Sequence, residues 1–471
     1  MGVVVVEAQK LGDFIQSTPL INALIAEFGE SELTFLVKEN AVKEALKLYF
    51  PTLHSALFSF EDPINYFKFK KPSLLINLSI SPQVLALAEL LEPKEIRGPR
   101  KDKGVTFFPV GHKIALATMS VNRRLDRLNL VDIWRCLSPL SLPTLPKPHV
   151  KELPPHLAEK LTDDPTLPWI CFQMGAQNHL RRWSAENHAL LASQLAQLFP
   201  FKPILLGTRQ EKALALKFQE FFFQNTPQTS TSVKPAIITG ETNLEELAAI
   251  ISKSALLVAS DTGVAHLGAS LGIPQLSVFM GPAFCHETGP YNPRAYVIQG
   301  MSPWDPCVEN KGCQRPSCLA EPKAKHALPL ALLAMGKTYT GGEDFPQTIE
   351  TWTTHLGKQG FSLRPTTPKP ALLDLEKKAA LIIRESVCEL LGQSVKPNDS
   401  RVSSRDSLEL KDELKLYTRE ENFDSKHFHE DIAKKILQSL TFIAQKGTNT
   451  QEEKKLFLDK AQSLLFSTEL F

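Results

Sequence analysis

Three short polar segments, each following an apolar run, carry side chains suited to chemistry. The first is Gln9-Lys10-Leu11-Gly12-Asp13, with Ser17-Thr18-Pro19-Leu20 opening a helical pattern behind it. Gly12 permits a tight strand-to-helix turn. Asp13 suits a general base facing a cleft, and equally a carboxylate that satisfies helix donors. The second is Gln173-Met174-Gly175-Ala176-Gln177-Asn178, followed by Arg181-Arg182-Trp183-Ser184. A polar Gly-containing loop and then cations is one way to meet an anion, although exposed loops also carry solvated arginines. The third is Ser260-Asp261-Thr262-Gly263-Val264-Ala265-His266. Amides and dipole at that helix start favour phosphate oxygens, and His266 lies in the first turn. A plain capped helix start reads the same way.

The elements that must position these segments alternate strand and helix. Gly2–Glu7, Leu33–Val37, Leu74–Leu78 and Lys94–Arg97 are strand candidates, with helices over Gln16–Phe28 and Ala41–Tyr49. Prolines then cluster in Leu142–His149 and at Pro154-Pro155, where the chain reads as a linker. A second series follows. Its strands are Trp169–Gln173, Pro203–Leu206, Ala236–Ile238, Ala255–Ala259 and Gln275–Phe279. Its helices are Ala185–Leu198, Gln210–Phe222, Leu244–Ser252 and Gly263–Leu271. Such order predicts two α/β halves, each a parallel sheet with helices on both faces. Ligands of these sheets bind beyond the carboxyl ends of the strands, which puts the site in the cleft between the halves.

Length and composition limit the alternatives. The 471 residues suggest about three units. With 53 Lys and Arg against 51 Asp and Glu, the chain lacks the basic excess of a nucleic-acid-coating protein, and no nucleic-acid partner is expected. No apolar run approaches the ~18–20 residues of a membrane span. The start, Met1-Gly2-Val3-Val4-Val5-Val6-Glu7, has neither the basic region of a signal peptide nor a hydroxyl at position 6 for myristoylation. Seven cysteines in so long a chain do not make a disulfide framework. A cytoplasmic protein is expected. There is no Walker loop and no Gly-x-Gly-x-x-Gly fingerprint, which argues against a kinase or a dehydrogenase.

Taken in order, the motifs are specific. Gly12-Asp13 with Thr18-Pro19-Leu20, Arg182-Trp183-Ser184, Leu206-Gly207 with Glu211 and the run Gly240–Leu247 lead the set. Asp261-Thr262-Gly263 with His266, Gly272-Ile273-Pro274, Phe279-Met280-Gly281-Pro282 and Gly289-Pro290-Tyr291 complete it. Together they resemble the heptosyltransferase family of lipopolysaccharide core synthesis, glycosyltransferase family 9, over residues 1–330. Asn129-Leu130-Val131-Asp132 also looks like a family segment. The resemblance implies a GT-B fold of two Rossmann-like domains. Residues 1–150 would hold the acceptor and residues 151–337 the nucleotide sugar. The activity implied is inverting transfer of a sugar, heptose from ADP-heptose, to a lipopolysaccharide core or related glycan. By the same resemblance Asp13 is the catalytic base, with Lys10 and Gly12 on the acceptor side. Gln177, Arg181, Glu211, Asp261, Thr262, Gly263 and His266 bind the donor, Glu211 through its ribose. Arg181 stands where many members have Lys, and supplies the charge as a planar fork.

No Asp-x-Asp clamp is present, so no metal and no cofactor is expected, the helix dipole and arginine standing in for Mg²⁺. Cys307, Cys313 and Cys318 cluster late in the chain, but their spacing matches no standard metal pair. Arg97–Lys103 and Arg123-Arg124 with Arg127 are basic patches that would suit an anionic glycolipid acceptor at the inner membrane surface, or plain solvent. Residues 338–471 read as a helical extension after a Gly-, Thr- and Pro-rich stretch from Thr338 to Pro370 without a period. Apolar stripes at Leu372–Leu390, Ile432–Ile443 and Leu456–Leu465 need a surface to bury against. Their mixed polar faces favour packing on the body, then a protein partner, over a membrane face. The rival functions are a family 9 transferase with another donor or a protein acceptor, and a sugar-nucleotide-binding scaffold without catalysis.

Overall fold

The computed structural model describes residues 2–7, 10–37, 39–53, 57–59, 71–79, 81–102, 105–107, 128–161, 164–226, 234–301, 322–339, 345–346, 348–357, 360–366 and 455. In the first half β1 (Val3–Glu7), α1 (Leu11–Phe28), β2 (Leu33–Val37), α2 (Asn40–Tyr49) and β3 (Leu57–Ser59) lead to β4 (Leu74–Asn77), α3 (Pro82–Leu91) and β5 (Ile96–Arg97). These five strands form a parallel sheet in the order β3-β2-β1-β4-β5. The valines of β1 alternate between its two faces. Val3 and Val5 pack with α1 and α2, and Val4 and Val6 with Val84, Leu87 and Leu91 of α3. A strand buried on both faces reads as a continuous apolar run, as this one does.

A two-stranded ribbon, β6 (Arg100–Asp102) and β7 (Val105–Phe107), follows, then α4 (Leu130–Arg135) and α5 (Pro155–Leu161). The second half runs β8 (Trp169–Gln173), α6 (Ala185–Ala196), β9 (Lys202–Leu206), α7 (Lys212–Asn225), β10 (Ala236–Ile237), α8 (Leu244–Ser252), β11 (Ser254–Ser260) and α9 (Gly263–Leu271). After them come β12 (Gln275–Phe279), α10 (Cys285–Thr288), β13 (Ala295–Gly300), α11 (Ala324–Ala334), β14 (Ile349–Gly357) and β15 (Gly360–Pro365). The second sheet is ordered β10-β9-β8-β11-β12-β13-β14-β15, parallel except for the last two strands.

Three expectations change. The helix behind β1 starts at Leu11, so Asp13 lies in its first turn and Ser17-Thr18-Pro19 in its interior. Pro19 has no N–H for the Ile15 carbonyl, and the Thr18 hydroxyl donates to it instead at 2.7 Å. Pro155 starts α5 instead of continuing the linker, because a first-turn residue needs no N–H. The boundary drawn at residue 337 cuts through the second sheet. Of the expected helical extension, residues 349–365 form the β14–β15 hairpin, which adds to β13. Residues 367–471, which hold the three apolar stripes, lie outside the described residues apart from Lys455.

The halves are joined by packing as well as by chain. Val42, Leu46 and Tyr49 of α2 share one apolar cluster with Leu244, Ala248 and Ile251 of α8. The Tyr49 hydroxyl meets the Ser270 hydroxyl of α9 at 2.5 Å. Buried Asp132 of α4 is a polar hub. Its Oδ1 accepts from the Tyr291 hydroxyl at 2.7 Å and from Arg135 Nε at 2.8 Å, and its Oδ2 accepts from the Phe361 backbone N–H at 2.9 Å. Asp132→Ala would remove this acceptor from the buried Tyr291 hydroxyl and Phe361 N–H and from the half-buried Arg135. The expected cost is about 3–5 kcal/mol, measured as the free energy of the first denaturant transition; a loss below about 1 kcal/mol would show that these bonds are replaceable.

Candidate active site between the two lobes

The site is built where the first turns of α1 and α9 meet head to head. A β-carbon on Gly12 would stand 3.2 Å from His266 Cδ2 and 3.5 Å from Gly263 Cα, and one on Gly263 would stand 3.2 Å from Leu11 Cδ2. Glycine at both positions lets the two backbones approach. The positive ends of two helix dipoles are thereby turned toward one place, which favours an anion. On α9 the Thr262 hydroxyl accepts from the Ala265 N–H at 3.4 Å. On α1 the residue before the helix is Lys10, whose side chain caps nothing. The Asp13 carboxylate accepts the Lys10 backbone N–H. Its capping role and its place in the cleft therefore coexist.

The opposite wall is the loop after β8. The Trp183 backbone N–H donates to the Ser260 hydroxyl at 3.2 Å, and its indole N–H to the Pro322 carbonyl at 2.7 Å. Arg182 Nε closes the loop on the Ala176 carbonyl at 2.8 Å. Held in this way, Arg181 Nη1 reaches Asp261 Oδ2 at 3.0 Å. Lys10 Nζ crosses from the first lobe and donates to Gln177 Oε1. Glu211 caps the turn after β9, taking the Thr208 N–H at 2.7 Å, and its carboxylate lies over Gly175. A β-carbon on Gly175 would fall 1.6 Å from Glu211 Oε1, so any side chain there displaces the acid.

Lys10, Gly12, Asp13, Gln177, Arg181, Asp261, Thr262, Gly263 and His266 are thus gathered at one junction, with Glu211 at the neighbouring strand end. Lys10 does not stay with the first lobe as expected; it faces the loop of the second. Arg97 of the basic patch is occupied, since Glu27 Oε1 holds its Nη2 at 3.0 Å and Glu95 its Nε at 3.1 Å. Lys103, Arg123, Arg124 and Arg127 lie outside the described residues, as do Cys307, Cys313 and Cys318. Among the described residues no three His, Cys, Asp or Glu side chains gather as a metal site requires. Sequence reasoning passed over Ser260, the anchor of the Trp183 loop. It also passed over Gln173 Oε1 and Thr239 Oγ1, which are buried at the same sheet edge without a partner among the described residues. A polar side chain ending the apolar run Trp169–Phe172 was the available signal for Gln173.

Burial pushes the Asp13 carboxyl above the ordinary range and Asp261 adds to this, while His266, Lys10 and the Lys10 backbone N–H oppose it. Burial holds the His266 imidazole down to about 4 against the pull of Asp13, so it is neutral at pH 7. Its Nε2 lies 3.9 Å from Asp261 Oδ1, and its Nδ1 is buried with no partner among the described residues. The junction therefore holds two carboxylates, two cations and one neutral imidazole.

Residues 112–316, less than half of the chain, match the model of glycosyltransferase family 9 (heptosyltransferase). The chain is 26% identical over 144 residues to lipooligosaccharide heptosyltransferase 2 of Haemophilus ducreyi, a stretch covering 30% of this chain and 40% of that protein's length. The family 9 glycosyl transferase of Veillonella parvula superposes with a TM-score of 0.53 at 18% identity, covering 71% of this chain and 96% of the other. The ADP-heptose lipopolysaccharide heptosyltransferase II of E. coli superposes with 0.51 at 17% identity, covering 71% and 98%. These likenesses carry the fold alone: two facing Rossmann-like lobes, the GT-B architecture.

Because the folded pKa of Asp13 is raised, its neutral form favours folding and its ionised form opposes it. That stability is fully present below the unfolded value of 3.8 and is lost as pH rises through the folded pKa. Asp13→Asn, which keeps an acceptor oxygen for the Lys10 N–H, should therefore be more stable than the parent at pH 7. A gain of roughly 2–4 °C in Tm corresponds to about 1 kcal/mol in a body of this size. Calorimetric scans at pH 7 and pH 4 check this. The gap should narrow at pH 4, and a lower Tm for the variant at pH 7 contradicts the burial of the charge.

Proposed function

We propose that the protein is an inverting glycosyltransferase. It moves a sugar from a nucleoside diphosphate donor to a glycan hydroxyl, the sugar being heptose from ADP-heptose and the acceptor a lipopolysaccharide core. The observation that supports this reading most is the junction itself, where Asp13 on one lobe lies close to His266 and Asp261 at the start of α9 on the other, and Asp261 holds Arg181. The heptosyltransferase names of the matching family and of the similar proteins support the choice of heptose. The acceptor oxygen attacks the anomeric carbon from the Asp13 side and its proton passes to the Asp13 carboxylate. The new carbon–oxygen bond forms as the bond to phosphate breaks, and that electron pair leaves on the nucleoside diphosphate. Its growing charge is met by Arg181 and the first-turn amides of α9. Burial makes Asp13 a stronger base than an exposed carboxylate. Glu211, lying against Gly175, is placed for the ribose hydroxyls, and no metal is assigned a role. A lipid-borne acceptor would put the enzyme at the inner face of the cytoplasmic membrane as a peripheral protein. No described helix is long and apolar enough to cross one.

The test is transfer from a panel of ADP-, UDP- and GDP-sugars to a truncated core acceptor, with and without EDTA. ADP-heptose should be the donor used, EDTA should leave the rate unchanged, and Asp13→Asn should lower kcat by ~10²–10⁴-fold with nucleotide binding retained. The rate should also fall as pH drops through the raised Asp13 pKa, since the base is then protonated. Transfer by Asp13→Asn at the parent rate removes Asp13 as base, and loss of activity in EDTA restored by Mg²⁺ removes the metal-free reading.

A further inference from the structure

Lys10 stands immediately before α1 on the first lobe, in extended backbone, with its ammonium donating to the Gln177 side-chain carbonyl on the second. The partners are 167 residues apart, and both side chains are exposed at the mouth of the junction. Arg181, a few residues beyond Gln177, is held at 3.0 Å by Asp261, and His266 is neutral at pH 7. Of the two cations at the junction, Lys10 is thus the one with an uncharged side-chain partner on the opposite lobe. An amide oxygen is a weak acceptor for an ammonium compared with a phosphate oxygen, and an exposed amide loses little when water replaces the lysine.

We propose that Lys10 is a donor-binding residue supplied by the acceptor lobe: it exchanges the Gln177 amide for the diphosphate of the nucleotide and so couples donor binding to the contact between the lobes. This rests on the transferase reading above. The charge inventory supports it. Asp13 and Asp261 offset Lys10 and Arg181, so an incoming diphosphate needs a cation that can change partner, and Lys10 can do so without breaking an ion pair. It also directly precedes Leu11 and Gly12, whose amides belong to the positive end of the α1 dipole, an end that favours an anion.

The experiment is calorimetric binding of ADP, UDP and GDP to the whole chain at several salt concentrations, comparing the parent with Lys10→Gln and Lys10→Arg. Lys10→Gln keeps a side chain able to bond the Gln177 amide but has no charge. It should bind the preferred diphosphate ~10–100-fold more weakly, as expected for loss of a charged hydrogen bond. It should also show a shallower fall of affinity with salt, and Lys10→Arg should recover most of both. If the parent binds a diphosphate and Lys10→Gln binds it equally well with the same salt dependence, Lys10 is only a latch between the lobes and the proposal is overturned. Failure of the parent to bind any of the three overturns the transferase reading, and the role of Lys10 with it.

Discussion

The close head-to-head approach of α1 and α9 is the constraint on which the rest depends. Two helix N-termini repel each other electrostatically unless negative charge lies between them. Asp13 and Asp261 supply it here, one from each helix start. Those carboxylates are in turn balanced by Lys10 and Arg181, and all four groups converge because Gly12 and Gly263 carry no side chain. The resulting junction is close to neutral yet lined with donors, which suits the resting state of the diphosphate site proposed above. The Nδ1 of buried His266, without a partner among the described residues, and the raised pKa of Asp13 are local costs of that arrangement. Such costs persist where the surrounding structure over-determines the geometry.

That over-determination is visible away from the chemistry. The apolar cluster shared by α2 and α8, the Tyr49–Ser270 bond and the Asp132 hub hold the lobes in register. Asp132 binds α4 to Tyr291 and to the β14–β15 hairpin at once, so the chain between the sheets is fixed to the far side of the second one. The anchored Trp183 does the same for the loop after β8, so that one indole and one serine hydroxyl hold the segment that carries Arg181.

Much of this was legible in the sequence, for physical reasons that also explain the failures. Runs such as Val3–Val6 and Leu256–Ala259 are apolar at every position because both faces of a parallel sheet are covered, and the polar residue ending each run marks the carboxyl edge where ligands bind. Asp13 and Asp261 were singled out from the polar segments that follow such runs, Glu211 from the family resemblance. The hairpin Ile349–Pro365 was not, because Thr351, Trp352, Thr353 and Thr354 show no clear alternation and lie in a Gly-, Thr- and Pro-rich stretch. Its strand state comes from pairing with β13 more than from local preference. Pro19 and Pro155 misled because proline ends a helix only where its missing N–H is not excused, by Thr18 in one case and by a first-turn position in the other. Asp132 was visible only as the end of the family-like segment Asn129–Asp132, and nothing local showed what it binds. Its Tyr291 and Phe361 partners lie 159 and 229 residues away.

The most direct test of the central claim is a crystal structure of the protein with a nucleoside diphosphate bound. The diphosphate is predicted to lie at the junction of the first turns of α1 and α9, contacting Arg181 and the amides of Thr262 and Gly263, with the ribose at Glu211. A nucleotide bound elsewhere, or a diphosphate more than a hydrogen bond away from that junction, would contradict the assignment of these helix ends as the place where the leaving group departs.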